Sequence, residues 1–240
     1  MKLALIGYGK MGKIIEGIAI SRGHTITGKA SSTQPIETVD FSEVDVAIEF
    51  TTPNFAVRHI EHCLNENTPI VVGTTAWNEQ LPYVKTLVTQ KDGALLHASN
   101  FSIGVNVFFD LNKRLAKLMA NYSDYKPSLE ETHHVHKLDA PSGTAVTIAN
   151  DMMFENDKIR SWKLGEGSTP AIQKGQLPVT SYRKPDVPGT HIVTYESPID
   201  TIQLSHTAHS REGFALGAVV AAEFLHEKKG IFTMQDVIKF

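Results

Sequence analysis

The stretch EETHHVHKLDAPSGTA, residues 130–145, gathers three histidines, a lysine and an aspartate just ahead of Pro-Ser-Gly-Thr. Side chains of these types can bind a metal, move a proton or hold an anion. As metal ligands, His133, His134, His136 and Asp139 are candidates, but adjacent residues of a strand point to opposite faces, and no second Cys or His element is spaced to close a tetrahedral site. No metal is expected. For proton transfer, His133 and Lys137 stand four residues apart, and either a strand or a helix would put that pair on one side. Histidine is the side chain whose charge changes closest to neutrality. Lys137 disfavours a charged His133 in an empty site, and a bound carboxylate restores the charge, which makes His133 a competent proton donor. Ser142 reads as the N-cap of a helix, and its hydroxyl, that of Thr144 and the unpaired amides of the first turn suit a carboxylate. The stretch points to acid–base work on an anionic substrate.

A second constellation opens the chain. KLALIGYGKMG begins with an apolar strand pattern, Leu3 to Ile6, and continues as Gly7, Tyr8, Gly9, Lys10, Met11 and Gly12 before a helical stripe of Ile14, Ile15, Ile18 and Ala19. The G-x-G-x-x-G spacing between strand and helix suits a dinucleotide: Gly7 for the tight turn, Gly9 for close approach of a pyrophosphate, Gly12 for packing of helix on strand. The alternation continues through HTITGKA, VDVAIEFT, a helix from about Pro53 to Glu66, PIVVGTT, a helix from about Asn78 to Gln90, and GALLHAS. Several strands end in small or hydroxyl residues, Thr51-Thr52, Gly73-Thr74-Thr75 and Ser99-Asn100, and in a parallel sheet such ends form one edge where a cofactor lies. NAD-selective sites place a carboxylate after the second strand, ~20 residues past the last glycine. Here that region reads GKASSTQ, with Lys29, Ser31 and Ser32 and no carboxylate before Glu37. NADPH is the expected cofactor, with NADH also accepted.

These constellations need elements to position them. The first half reads as an α/β, Rossmann-type dinucleotide-binding domain. SIGVNVFFDLNKRLAKLMANY carries a helical stripe that would bridge into a second, α+β domain. There KPSLEETHHVHK reads as a strand, GTHIVTYE and DTIQLSH as an antiparallel pair turning at Pro-Ile-Asp, and residues 158–188 as loop-rich. FALGAVVAAEFL is a final helix returning to the first domain, so the expected division is 1–102 with 212–240, and 103–211. With 23 Lys+Arg against 26 Asp+Glu, the chain has no electrostatic footprint for nucleic acid or an anionic membrane. The single cysteine, Cys63, lies in a helical pattern and fits a reducing compartment. No apolar run approaches ~20 residues, and Met1-Lys2 leads directly into a strand, so a soluble cytoplasmic protein is expected.

With these residues in view, the sequence resembles the dihydrodipicolinate reductase family, also called 4-hydroxy-tetrahydrodipicolinate reductase, of the diaminopimelate and lysine pathway. The likeness rests on ETHHVHKLDAPSGTA together with GYGKMG, EFTTP, VVGTT, SNFSIGVN and HTAHSREGFALGA, in the family's order along essentially the whole chain. It implies a two-domain enzyme that transfers a hydride from NADPH or NADH to a cyclic unsaturated dicarboxylate, giving tetrahydrodipicolinate. It implies that His133 is the proton donor, Lys137 a second catalytic residue, and His134, Ser142, Gly143 and Thr144 substrate contacts. Cofactor contacts are implied for Gly7 to Gly12, Gly73 to Thr75 and Ala98, Ser99, Asn100 and Phe101, and a homotetramer assembled through the second domain. Two departures bear on the cofactor. The glycine loop is one residue shorter than the GxxGxMG form common in the family, and Lys29-Ala30-Ser31-Ser32 replaces an acidic-basic pair that some members carry. On the residues alone, a non-catalytic dinucleotide sensor or a reductase of another imino- or oxo-acid, of the aspartate dehydrogenase type, are the rival readings; the first leaves the His133–Lys137–PSGTA group unexplained, and the full string argues against the second.

Overall fold

The computed structural model describes residues 1–238, so the last two positions of the expected 212–240 segment lie outside the described residues. The chain separates into two compact units, one of Met1–Ile103 joined by the segment from Glu212 onward, the other of Gly104–Arg211.

In the first unit strand and helix alternate: β1 (Lys2–Ile6), α1 (Lys10–Ser21), β2 (Thr25–Ala30), β3 (Val46–Glu49), α2 (Pro53–Asn65), β4 (Ile70–Val72), α3 (Leu81–Gln90) and β5 (Ala94–His97). All the pairings in its sheet are parallel, and the strand order from one edge is β2, β1, β3, β4, β5 and then a last strand, Gly230–Phe232, from the chain's end. Such strands are buried on both faces, which is why they read as continuous apolar runs. Leu3 and Leu5 face one core with Ile15 and Ala19 of α1, whereas Ala4 and Ile6 face another with Ile60 and Leu64 of α2. That last strand was not anticipated; three residues leave too little pattern to see.

The second unit contains α4 (Ile103–Met119, all but its first residue), β6 (Lys126–His133), α5 (Gly143–Glu155), β7 (Ser161–Glu166), β8 (Gln176–Arg183), β9 (Gly189–Glu196) and β10 (Thr201–Ala208). Its five strands run in the order β10, β9, β6, β8, β7. β9 pairs antiparallel with β10 and β6, while β6, β8 and β7 pair in parallel, so the sheet is mixed. The loop-rich reading of 158–188 is corrected, since β7 and β8 both fall within it. Pro178 sits inside β8, where proline argues against a strand, yet Leu177 and Val179 on either side are fully buried, and that burial outweighs the local signal. The helix-covered core joins Leu129, Val179 and Val193 of three strands to Ala116 of α4 and to Ala145, Ile148 and Met152 of α5.

The chain then returns to the first unit as α6 (Glu212–Leu225), β11 (Gly230–Phe232) and the short α7 (Met234–Val237). α6 buries Ala215, Gly217, Ala218, Ala221 and Ala222, residues small enough to let its backbone lie close to its neighbours. A Cβ at Gly217 would stand 1.7 Å from the Phe101 carbonyl oxygen, so only glycine fits there. No helix among the described residues is long and apolar enough to cross a membrane.

Candidate functional site

Strand order in the first unit reverses at β1, which lies between β2 and β3, and a crevice opens there beyond the strand ends. Gly7 takes φ +101°, and a Cβ on it would come 2.0 Å from the Phe50 carbonyl oxygen. The turn is closed by the amides of Gly7 and Tyr8 donating to the Ala30 carbonyl at 3.0 and 2.8 Å. Above Gly9 there is open space, and α1 begins at Lys10 without a side-chain cap, so its first amides are available to an anion. A cavity of about 370 Å³ is lined by Gly7, Gly9, Lys10, Met11, Gly73, Thr74 and Thr75. A second, of about 600 Å³, is lined by Gly7, Tyr8, Gly9, Ser31, Ser32, Phe55, Arg58 and His59, among others. The glycine loop is shared by both, which is the shape a two-part nucleotide needs. Gly12 lines neither; a Cβ on it would stand 2.7 Å from the Gly7 carbonyl oxygen, so its part is close packing.

Besides Gly12, five of the expected cofactor residues, Lys29 and Ala98 to Phe101, line neither cavity. The Lys29 ammonium is paired with the Glu16 carboxylate at 2.6 Å and lies over the Tyr8 ring at 4.3 Å, and Tyr8 itself donates to Glu16. Hydrogen bonding to Glu16 raises the Lys29 pKa. Lys29 is therefore committed, and the cation that does line the larger cavity is Arg58, ion-paired with Glu37. The spacing argument missed both, because Arg58 comes from α2 and the Glu16 partner from α1. Ala98 and Ser99 line neither cavity, and Asn100 accepts from the Ser102 amide at 2.9 Å. The Phe101 side chain is buried against Phe50, with ring centroids 5.8 Å apart. Sequence reasoning also missed Glu49, fully buried at the end of β3. It accepts from the hydroxyls of Thr51 and Thr74, and the Thr74 oxygen in turn receives the Thr51 amide at 2.7 Å, so one carboxylate ties two strand ends at the crevice.

In the second unit the site grows out of β6. Strand parity puts Leu129, Glu131 and His133 on one face, the face that α4 and α5 cover, so a carboxylate and an imidazole continue an apolar stripe. Glu131 is fully buried and hydrogen-bonds His133 Nδ1 through one oxygen; the other accepts from Arg183 of β8 at 3.0 Å. Burial alone would raise the Glu131 pKa, but hydrogen bonding to the carboxylate, first of all from His133, outweighs it and brings it down to about 2. An ionised carboxylate only accepts, so the proton between Glu131 and His133 belongs to Nδ1.

His191 of β9 stands opposite Glu131, and its ring centroid is 5.2 Å from that of His133. Burial, and then the neighbouring His133, push its pKa down to about 3. The Ser142 oxygen accepts the Ala145 amide at 3.2 Å, as an N-cap does, and also lies in hydrogen-bond contact with His191 Nε2 at 3.1 Å. Of the two adjacent rings, His191 is held neutral by its burial and His133 hydrogen-bonds a carboxylate, so the two imidazoles stand in different environments. Neither Glu131, Arg183 nor His191 was singled out in the sequence. His191 could have been found, since GTHIVTYE places it on the same parity as buried Val193 and Tyr195.

The strand ends at His133, and the parity that would align Lys137 with it ends there too. Residues 134–139 form a turn, with the Lys137 amide donating to the His134 carbonyl at 3.1 Å, and the Lys137 ammonium bonds the Asp139 carboxylate at 2.8 and 2.9 Å. His134 has a buried Nδ1 without a partner, and its ring lies 6.2 Å from that of His136. Gly143, the first residue of α5, is exposed with open space where a Cβ would be, and Thr144 follows on the same first turn. The metal-ligand set considered from sequence is not what the fold assembles. Glu131, His133 and His191 bring ligand atoms within 4.8 Å of one another, but Arg183 and Ser142 already hold two of the three.

A parallel sheet with a glycine turn at its switch point, joined to a unit that holds an acid–base pair beside a helix start, defines a dinucleotide-dependent oxidoreductase. Residues 1–101 match the family model for the dihydrodipicolinate reductase N-terminus, and residues 104–238 that for its C-terminus. The chain is 46% identical over 238 residues to 4-hydroxy-tetrahydrodipicolinate reductase of Christiangramia forsetii, covering 99% of this chain and 98% of that one. It is 34% identical to the enzyme of that name from Thermosipho africanus, covering 100% and 98%. This chain belongs to the dihydrodipicolinate reductase family. In fold it is similar to a dipicolinate-bound dihydrodipicolinate reductase from Paenisporosarcina sp. TG-14, with TM-score 0.75 at 22% identity over 99% of each chain. A more distant likeness is to an amine dehydrogenase from Mycobacterium smegmatis, with TM-score 0.62 at 12% identity over 96% of this chain and 94% of that one.

Proposed function

We propose that the chain reduces 4-hydroxy-tetrahydrodipicolinate, or the dihydrodipicolinate formed from it, to tetrahydrodipicolinate in the diaminopimelate and lysine pathway, with His133 as proton donor. The observation that carries the reading is the buried Glu131–His133 pair beside a neutral His191. When bound, a nicotinamide supplies a hydride. Addition to a conjugated ring leaves electron density that a positioned acid must quench, and His133 Nε2 is the atom free to give that proton. Lys137, whose partner Asp139 is more than half exposed, exchanges that carboxylate for one of the substrate's. The first-turn amides of α5 at Gly143 and Thr144, with His134, hold the other.

NADPH is the preferred cofactor in this reading, with NADH also accepted. The glycine loop and α1 would hold the pyrophosphate, and Ser31, Ser32 and Arg58 the ribose 2′-phosphate, while Glu37 suits a free 2′-hydroxyl. The protein works in the cytoplasm as a homotetramer assembled through the second unit. The test is nicotinamide oxidation followed by absorbance, with substrate made in situ by the preceding synthase from pyruvate and aspartate semialdehyde, and NADPH and NADH compared. Rapid turnover that falls about 100-fold or more in His133→Ala, with cofactor Kd unchanged, is the expected result. Tight cofactor binding without turnover would instead favour a sensor.

A further inference from the structure

We infer that Glu131 and Arg183 act as a positioning pair for this reaction, with Glu131 fixing the tautomer and ring orientation of His133 and Arg183 holding both that carboxylate and the loop that carries Lys137. The inference rests on the reductase reading for its kinetic consequence but not for its geometry. The Arg183 side chain makes four contacts: Glu131 Oε1 at 3.0 Å, its neighbour's Tyr182 carbonyl at 2.8 Å, and the carbonyls of Lys137 and Asp139 at 3.3 and 2.7 Å. One guanidinium therefore spans β6, β8 and the turn between His133 and α5. A fully buried carboxylate is costly unless paired and hydrogen-bonded, and Glu131 has both kinds of partner.

The consequence for His133 is directional. With Nδ1–H given to Glu131, the neutral ring carries its lone pair on Nε2, and any proton it delivers leaves from Nε2. Nε2 faces the space left by Gly189, where a Cβ would come within 2.9 Å of it. The groups around the pair are Arg183 on β8, His191 on β9, His206 opposite His191 on β10, Ser142 at the start of α5, and Lys137 with Asp139 on the following turn. Among them Glu131 is the carboxylate in contact with the ring.

Two measurements test this. In ¹⁵N-histidine-labelled wild-type protein, with His133→Asn for assignment, the neutral His133 ring should show protonated Nδ1 and unprotonated Nε2; the opposite tautomer would overturn the inference without any appeal to turnover. In Glu131→Gln, an isostere whose amide can donate as well as accept, the Nδ1-protonated tautomer of His133 should no longer dominate, and kcat should fall at least about 10-fold with cofactor Kd unchanged. A loss of rate with the His133 tautomer unmoved would mean a merely structural role and sink the proposal, as would a wild-type rate. If the variant does not fold, the tautomer measurement still decides. Inactive wild-type protein with the expected tautomer would count against the reductase reading and leave the geometry standing.

Discussion

His191 shows how one residue can serve a site through its lack of charge. Its pKa falls from 6.5 in an ordinary setting to about 3, first because it is buried and then because His133 stands beside it. Between those two values the unfolded chain binds a proton that the folded chain refuses, so stability declines as pH drops through the window. Glu131 acts in the same direction lower down, since its pKa is reduced from 4.5 to about 2 and its contribution, present above 4.5, is lost as pH falls toward 2. His191→Gln keeps a partner for the Ser142 hydroxyl and removes the first effect. The slope of unfolding free energy against pH, measured by urea titration from pH 6 to 4, should therefore flatten by up to about 1.4 kcal/mol per pH unit. An unaltered slope would show that His191 is protonated in the native protein.

At the scale of elements, two glycines in helices make a contrast. Gly217 in α6 meets the Phe101 carbonyl, with room for no further atom, whereas Gly17 in α1 has nothing within 4 Å of the place a Cβ would occupy. Gly217→Ala forces α6 away from the Phe101 backbone and should destabilise by about 2 kcal/mol or more. Gly17→Ala removes only backbone freedom and should stabilise by about 0.5–1 kcal/mol. Denaturant midpoints at constant m would register both, and equal effects of the two substitutions would refute the close approach. The same elements show where pattern reading failed. The Pro-interrupted β8 lay hidden in a segment read as loop, although it supplies Arg183, because its strand character comes from burial against α5 and from pairing with β6 and β7.

For the molecule as a whole, Cys63 offers a reporter. It is fully buried in α2, and burial, with the nearby Glu49 adding to it, raises its thiol pKa far above the ordinary range. Native protein should resist a thiol reagent at pH 8, and the labelling rate should rise with urea in step with global unfolding of the first unit; rapid labelling without denaturant would show local opening of α2. The sequence by itself determined the parallel first sheet, the glycine turn, the antiparallel pair near the C-terminus, the cap at Ser142 and the strand that carries His133. Those features depend on periodicity, on backbone freedom or on spacing within one segment, which are local properties. Tertiary structure decided that Lys29 is neutralised by Glu16, that Arg58 and Glu37 line the larger cavity, that Lys137 faces Asp139, and that Glu131, Arg183 and His191 surround His133. Each of these depends on register between strands or on a helix carrying a charge across to a distant segment, and no single stretch of chain encodes the charge of its future neighbour.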